Sequence, residues 1–503
     1  MALGRAFSVA VRGLDGQIVE IEADITAGLP GFHLVGLPDA ALQESRDRVR
    51  AAITNSCHTW PMSRLTLALS PATLPKTGSL YDIALASAVL SAARKQPWHR
   101  LEKAVLLGEL ALDGRIRPVQ GVLPAVLAAK RQGWPAIVVP VGNLAEASLV
   151  DGIEVYGVRT LRQLCQWLDT ATGLDGRVQK PTPEAEPVAD LADVVGQTQA
   201  RFAVEVAAAG AHHLMLTGPP GVGKTMLAQR LPGLLPALRP SEALEVTAVH
   251  SVAGLLLEEM PLITRPPFVA PHHSASVAAL VGGGSGLARP GAISQAHRGV
   301  LFLDECAEIQ PSVLEALRTP LEDGEIRLAR KDGVVAYPAR FLLVLAANPC
   351  PCAPADAKDC ICTPMQRRRY QAKLSGPLVD RVDLRVPMHM VRAGAFSPEQ
   401  SESSAAVRAR VGQARAAAAD RWRSYGFTTN AEVSGTVLRM GFRPRAAAMA
   451  PLRKALDRGL LSIRGAHRLM RVAWTLADLS GRTSPSPDDV SIALSFRQSE
   501  IKP

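Results

Sequence analysis

The segment GPPGVGKT, residues 218–225, constrains this chain more than any other. It matches G-x-x-x-x-G-K-[ST], a pattern that works only between a strand and a helix. Both flanks comply: Leu214-Met215-Leu216-Thr217 reads as a short strand, and residues 226–231 as the start of a helix. Gly218, Pro219, Pro220, Gly221, Val222 and Gly223 would form a loop whose backbone N–H groups turn inward around phosphate oxygens. Lys224 would reach the β and γ phosphates, and the Thr225 hydroxyl would ligate Mg2+. A chance glycine-rich loop would not carry the Lys-Thr pair together with both flanks. The expected ligands are ATP and Mg2+, and the expected fold around them is α/β with a parallel sheet.

A bound triphosphate needs further groups to act on it, and four later segments offer them. Gly299-Val-Leu-Phe-Leu-Asp304-Glu305 describes a buried strand that delivers two acids to its tip. Asp304 would share the Mg2+, and Glu305 would orient and deprotonate the attacking water. An ordinary strand end with exposed acids is the plainer reading, weakened by the P-loop upstream. Phe341-Leu-Leu-Val-Leu-Ala-Ala-Asn348 is a second apolar strand; Asn348 could position that water, and it also suits a turn before Pro349. Arg381, in SGPLVDRVDL (residues 375–384), reads either as a surface ion pair with Asp383 or as a finger reaching a neighbouring subunit's ATP. The finger reading implies a ring. Arg464 opens a helical run and could close over the γ phosphate, although arginines on helix surfaces are common.

The chain has 503 residues, enough for three to four domains at roughly 150 residues each. Hydrophobic residues make up 47% and charged residues 20%, so each domain can bury a core without staples. Aromatic content of 4% argues against base stacking as the main binding mode, whereas a net charge of +10 favours acidic partners such as nucleic acid. No apolar run approaches the roughly 18 residues of a membrane helix, and the start lacks a signal-peptide pattern. Four of the seven cysteines crowd between residues 350 and 362, unlike a secreted disulfide framework, so a cytoplasmic, reduced protein is expected. Residues 1–168 read as one α/β unit, with strands over 7–11, 18–25 and 65–69 and helices over 40–52 and 81–93. Residues 169–189, rich in proline and glycine, read as a linker; 190–390 hold every strong motif; 391–503 read as helical, with runs over 403–423, 443–460 and 465–479.

These elements, in this order, resemble the AAA+ superfamily. APHHSAS (270–276), Gly282-Gly-Gly284, Arg289-Pro-Gly and the AHRGVLFLDE run (296–305) narrow the resemblance to its magnesium-chelatase-like branch, and there to the ComM/YifB family. The resemblance covers nearly the whole chain. It implies a hexameric ATPase that encircles single-stranded and branched DNA, a branch-migration helicase active in natural transformation, with recombination proteins as partners. It implies nucleotide roles for Gly223, Lys224, Thr225, Asp304, Glu305 and Asn348, a finger at Arg381 and a lid arginine at Arg464. Residues 391–503 would then be the helical lid of an AAA+ core at 190–390.

The N-terminal unit resembles the proteolytic domain of Lon proteases through GELALDGRIRPVQGVL, residues 108–123. The lysine of that family's Ser-Lys dyad falls on Leu123 and its serine on Leu80, with Ser79 one residue early. A dyad needs both groups, so no peptidase activity is expected, and Lys76 and Asp82 read as a turn and a helix cap. In helicases of the wider clade a hairpin before the Asn-bearing strand points into the pore. EIRLARKDGVVAYP (325–338) reads as such a hairpin, turning at Lys331-Asp-Gly. Arg330 and Lys331 would contact DNA phosphates there, or simply be a solvated tip. His272 and His273 read as part of a pore loop rather than a metal site. Cys350, Cys352, Cys360 and Cys362 could close a tetrahedral Zn2+ shell, or remain four reduced thiols. The family carries a similar cluster, usually with glycine where this chain has Ala353. Chelatase-type or chaperone-like remodelling of a protein partner is the alternative to a DNA motor.

Overall fold

Alternating apolar and polar residues open the chain, and they fold as that pattern requires. A computed structural model describes residues 2–36, 40–76, 78–94, 98–178, 189–284, 288–330, 333–355, 357–373, 376–390 and 402–498. Strands β1 (Ala2–Arg12) and β2 (Asp15–Thr26) pair antiparallel, with Val9 opposite Ile18. The unit continues through β3 (Gly31–Val35), α1 (Ala40–Asn55), β4 (Arg64–Ser70), α2 (Asp82–Ala92) and β5 (Ala104–Leu106). It ends with α3 (Val122–Arg131), β6 (Ala136–Pro140), β7 (Glu154–Val158) and α4 (Leu161–Thr170). The seven-stranded sheet runs β3-β4-β2-β1-β5-β6-β7, with β2 antiparallel to both its neighbours and the other pairs parallel. Every residue of α2 is buried, as befits a helix with no polar face.

Part of the stretch read as linker is tied down. Asp175 exchanges backbone hydrogen bonds with Gly157 on the edge strand β7 (2.8 and 3.0 Å), and Arg177 donates to the Ser148 carbonyl (2.7 Å). Residues 179–188 lie outside the described residues.

The next unit packs α5 (Thr198–Gly210), β8 (Leu214–Thr217), α6 (Lys224–Arg230) and α7 (Pro240–Ala253) with β9 (Phe268–Val269) and β10 (Val300–Leu303). A hairpin of β11 (Glu325–Arg330) and β12 (Gly333–Pro338) follows, then β13 (Leu342–Ala347), α8 (Pro364–Lys373) and β14 (Leu384–Pro387). The core sheet runs β9-β10-β13-β8-β14, and every pair is parallel. Strands buried on both faces need unbroken apolar runs, which VLFL in β10 and LLVLAA in β13 supply. Because the strands are parallel, the P-loop, the two acids and Asn348 all leave from the same edge of the sheet, where ligands of such sheets bind.

The carboxy-terminal helices are α9 (Ser404–Trp422), α10 (Ala450–Asp457), α11 (Ile463–Leu479) and α12 (Pro487–Gln498). The helix expected over 443–460 is shorter. Pro451 lies in the first turn of α10, where its missing N–H costs nothing, and residues before it form turns. No helix among the described residues is long and apolar enough to cross a membrane.

The first two units share a core in which Val9, Val11, Val122 and Leu123 pack with Ala248, Val252, Val335 and Tyr337. Glu146 is buried at this contact, accepting from the Leu123 N–H (2.8 Å) and from the Ser251 hydroxyl of α7. The inner face of the β11–β12 hairpin therefore rests on the N-terminal unit. The hairpin register brings Arg330 opposite Gly333. The Arg330 side chain and Lys331, where DNA contacts were expected, lie outside the described residues.

Candidate nucleotide site

Gly221 and Gly223 adopt φ of 78° and 92°, and a Cβ on either would meet nothing within 4 Å. They are glycines because of the left-handed backbone, not for want of space. That backbone folds the loop after β8 back over the start of α6. Lys224 is largely buried, and its Nζ donates to the carbonyls of Gly218 (2.6 Å) and Pro219 (2.9 Å) and to Asn348 Oδ1 (3.0 Å). Burial lowers its pKa, with the charges of Asp304 and Glu305 pulling the other way. Asn348, read from the sequence as a water-positioning group, thus sits within reach of the same ammonium that would hold the γ phosphate.

The Thr225 hydroxyl donates to Asp304 Oδ2 (2.7 Å), while Asp304 Oδ1 accepts from the Glu305 N–H (2.8 Å). The two groups expected to share Mg2+ are therefore adjacent, and their oxygen donors suit a hard cation. Glu305 takes φ of +46°, unusual for a side chain with a Cβ. Its carboxylate lies near His273, whose Nδ1 is 3.3 Å from Glu305 Oε2. Lys224, Thr225, Asp304, Glu305 and Asn348 come from three strand ends and form one cluster.

Arg381 does not make the ion pair with Asp383 that one sequence reading gave it. Its guanidinium pairs with Glu322 of the same chain, and the residue is only 6% exposed. Asp383, the expected partner, is committed elsewhere: its carboxylate meets His212 Nδ1 (3.1 Å) and Arg468 Nη1 (3.2 Å). Burial pushes the Asp383 carboxyl up, but the His212 hydrogen bond and the charges of His212 and Arg468 outweigh it and hold the pKa below the usual range. His212 Nε2 also meets the Thr475 hydroxyl (2.7 Å) on α11, so this network joins the strand before the P-loop, the Arg381 segment and the lid. Arg464 is exposed on the first turn of α11. One turn on, Arg468 donates to the Arg381 carbonyl (2.7 Å). Arg468 and Glu322 carry no motif of their own, and sequence reasoning gave neither a role; His273 lies in the 270–276 motif, but its contact with Glu305 was not foreseen.

The four clustered cysteines converge. Cys350 Sγ lies 3.4 Å from Cys352 and 3.6 Å from Cys360, and all four sulfurs lie within 4.8 Å of one another. A tetrahedral Zn2+ with bonds of about 2.3 Å sets its sulfurs about 3.8 Å apart, so the cluster is compatible with structural zinc held by Cys350, Cys352, Cys360 and Cys362. Ala353 adopts φ of +42°, which explains why glycine would suit this position better. A cavity of about 640 Å³ opens between this loop and Gly218 and Pro219 of the P-loop.

In the N-terminal unit the corresponding polar groups serve the fold. Ser79 Oγ donates to Glu109, and Lys76 Nζ to the carbonyls of Leu69 (3.0 Å) and Pro71. Asp82 is fully buried, accepting from Arg48 (2.8 and 3.2 Å) and the Leu110 N–H (3.1 Å), and burial pushes its carboxyl up to about 6 against the pull of Arg48. Leu123 is buried in the core shared with α7.

Family models of magnesium chelatase match three stretches. The model of magnesium chelatase subunit ChlI matches residues 190–396, that of subunit ChlI of Mg-chelatase 21–143, and that of the ChlI C-terminal part 401–497. An uncharacterized protein of Mycobacterium tuberculosis is 77% identical over 498 residues, 99% of each chain. The YifB protein of Escherichia coli is 39% identical over 501 residues (99% of this chain, 97% of YifB). Competence protein ComM of Haemophilus influenzae is 38% identical over 504 residues (99% and 98%). Over 119 residues, 23% of this chain and 19% of the relative, it is 31% identical to Lon protease 2 of Bacillus subtilis. With a P-loop, an acid pair and a polar strand end on one edge of a parallel sheet, and full-length relatives of this kind, the chain belongs to the ComM/YifB family of magnesium-chelatase-like AAA+ proteins.

Proposed function

We propose that this chain is an ATP-driven DNA motor, a ring of six subunits in the cytoplasm that moves branch points while incoming DNA recombines. The observation that carries the ATPase half is the cluster of Lys224, Thr225, Asp304, Glu305 and Asn348 at one sheet edge. Water attacks the γ phosphorus in line, the bond from that phosphorus to the β,γ-bridging oxygen breaks, and the water's proton passes to the Glu305 carboxylate. ADP and inorganic phosphate leave. Lys224 and the loop N–H groups hold the phosphates, and Asn348 keeps Lys224 and the water in register. Thr225 and Asp304 would hold Mg2+, which would offset negative charge on the triphosphate. Arg381 acts across a subunit contact once its pair with Glu322 opens, and Arg464 closes from the lid. Cys350, Cys352, Cys360 and Cys362 would hold a structural zinc that would brace the loop leading from Asn348 to Arg381.

The DNA half rests on the net charge of +10, the competence relative and the hairpin ahead of β13. The N-terminal unit works as a bound scaffold without peptidase activity. ATP turnover measured with and without single-stranded and branched DNA tests the proposal. Severalfold stimulation by DNA supports the motor, followed by strand displacement from a Holliday junction that Lys224→Ala abolishes. Turnover indifferent to DNA would favour a chelatase-type remodeller of a protein partner, the reading that the match to subunit ChlI supports.

A further inference from the structure

A two-stranded hairpin with no surface beneath it holds its shape poorly in water, so what lies under β11–β12 decides where the hairpin points. Its two faces differ. Ile326, Leu328, Val335 and Tyr337 face inward, while Arg327, Ala329, Val334 and Ala336 are exposed. Each strand packs into a different unit. Ile326 of β11 joins the core of the ATPase unit with Leu301 and Leu343. Val335 and Tyr337 of β12 join Val9 and Val11 of the N-terminal unit. The tightest contact is with the β1–β2 turn, where Gly13 takes φ of +63°. A Cβ on Gly13 would stand 2.9 Å from Val335 Cγ1 and 3.0 Å from the Ala336 carbonyl oxygen. A Cβ on Gly333, at the start of β12, would stand 2.8 Å from Arg12 Nη2. The outer half of the hairpin is thus seated on the N-terminal unit with no room for a side chain between them.

We propose that the β1–β2 turn is the seat that aims the hairpin at DNA, with Gly13 as its positioning residue. This rests on the reading of the hairpin as an element that contacts DNA. Glycine meets two needs at this position. Its left-handed backbone closes the turn between Arg12 and Asp15, which pair across it. Its missing side chain lets Val335 and Ala336 lie against the turn. The N-terminal unit then takes part in DNA engagement, a role that needs no catalytic dyad. The neighbours of Gly13 are Val335, Ala336 and Tyr337, none of them in the cluster of Lys224, Thr225, Asp304, Glu305 and Asn348. The seat therefore acts on the response to DNA and leaves the nucleotide site as it is.

The test uses the full-length protein with Mg2+ and measures ATP turnover with and without a single-stranded oligonucleotide. Gly13→Asn keeps a residue that tolerates left-handed backbone but puts a side chain into the contact. It should lower the stimulation by DNA at least roughly threefold, as overpacking displaces the hairpin, with turnover in the absence of DNA within about twofold of wild type. Val335→Ala, which empties the same contact from the hairpin side, should also lose stimulation. Gly133→Asn is the matched control: Gly133 lies in the same unit with φ of +78°, and a Cβ there would meet nothing within 4 Å. It should match wild type with and without DNA. Wild-type stimulation in Gly13→Asn or in Val335→Ala overturns the proposal, as does an equal loss in Gly133→Asn or a loss in Gly13→Asn that is as large without DNA. Arg330→Ala combined with Lys331→Ala separates the two claims: if that variant keeps wild-type stimulation, the reading of the hairpin fails, whatever Gly13 does. A wild type whose turnover ignores DNA defeats the motor reading and this proposal together.

Discussion

The chain builds two parallel-edged sheets with polar residues at corresponding risk of becoming chemistry, and only one of them assembles a site. At the core sheet edge, Lys224, Asp304, Glu305 and Asn348 leave three different strands and meet. In the N-terminal sheet, Ser79 is occupied by Glu109, Lys76 by main-chain carbonyls and Asp82 by Arg48. The residue types overlap; the partners do not. A lysine that donates to a loop able to exchange those bonds for phosphate is functional, whereas one that ties together two fixed carbonyls is structural.

The largest effect expected from that contrast is on turnover. Lys224→Ala should lower ATP hydrolysis by at least roughly 100-fold, whereas Ser79→Ala should leave it within about twofold. A drop of similar size in both would erase the distinction. Next comes stability. Asp383→Ala strands His212 and Arg468 in the interior and should cost about 3–5 kcal/mol in denaturant unfolding. The two buried aspartates also respond oppositely to pH. The Asp383 pKa is depressed, so its contribution is present above the unfolded value of about 3.9 and is lost as pH falls below it. Asp82 is raised to about 6, so its contribution is full below about 3.9 and is lost as pH rises through 6. Thermal melts from pH 4 to 7 with Asp82→Asn should show the variant losing less stability than wild type over that rise. Cys360→Ser should remove stoichiometric zinc from purified protein, read by metal analysis; stable, metal-free wild type would contradict the zinc site. The smallest effect is Ala353→Gly, which relieves a left-handed alanine and should stabilise the loop by about 1 kcal/mol.

Much of the nucleotide site could be read before the fold was known, for a physical reason. Parallel strands buried on both faces are continuous apolar runs, so VLFL and LLVLAA announced themselves and their polar tips with them. His273 was visible in the 270–276 motif, but its contact with Glu305 was not, because the strand before it, Phe268–Val269, is two residues long and leaves no periodicity. Arg381 was visible as a residue but not as a contact: its partner Glu322 lies on a separate helix, and proximity of Asp383 in sequence pointed to the wrong acid. On α11 the spacing marks Arg464 and Arg468 as neighbours on one face, without saying which turn meets the core; Arg468 does. The hairpin strands were legible from Asp-Gly and alternation, yet the burial of Val335 and Tyr337 against the N-terminal unit needed a partner surface that no local pattern encodes.

The central claim is that one polypeptide supplies both the phosphate grip and the water-activating acid. Steady-state Mg2+-dependent ATP turnover of Glu305→Gln, alongside its affinity for a fluorescent ATP analogue, tests it most directly. Hydrolysis reduced by at least roughly 100-fold with affinity retained is the predicted result. Wild-type turnover in Glu305→Gln would contradict it.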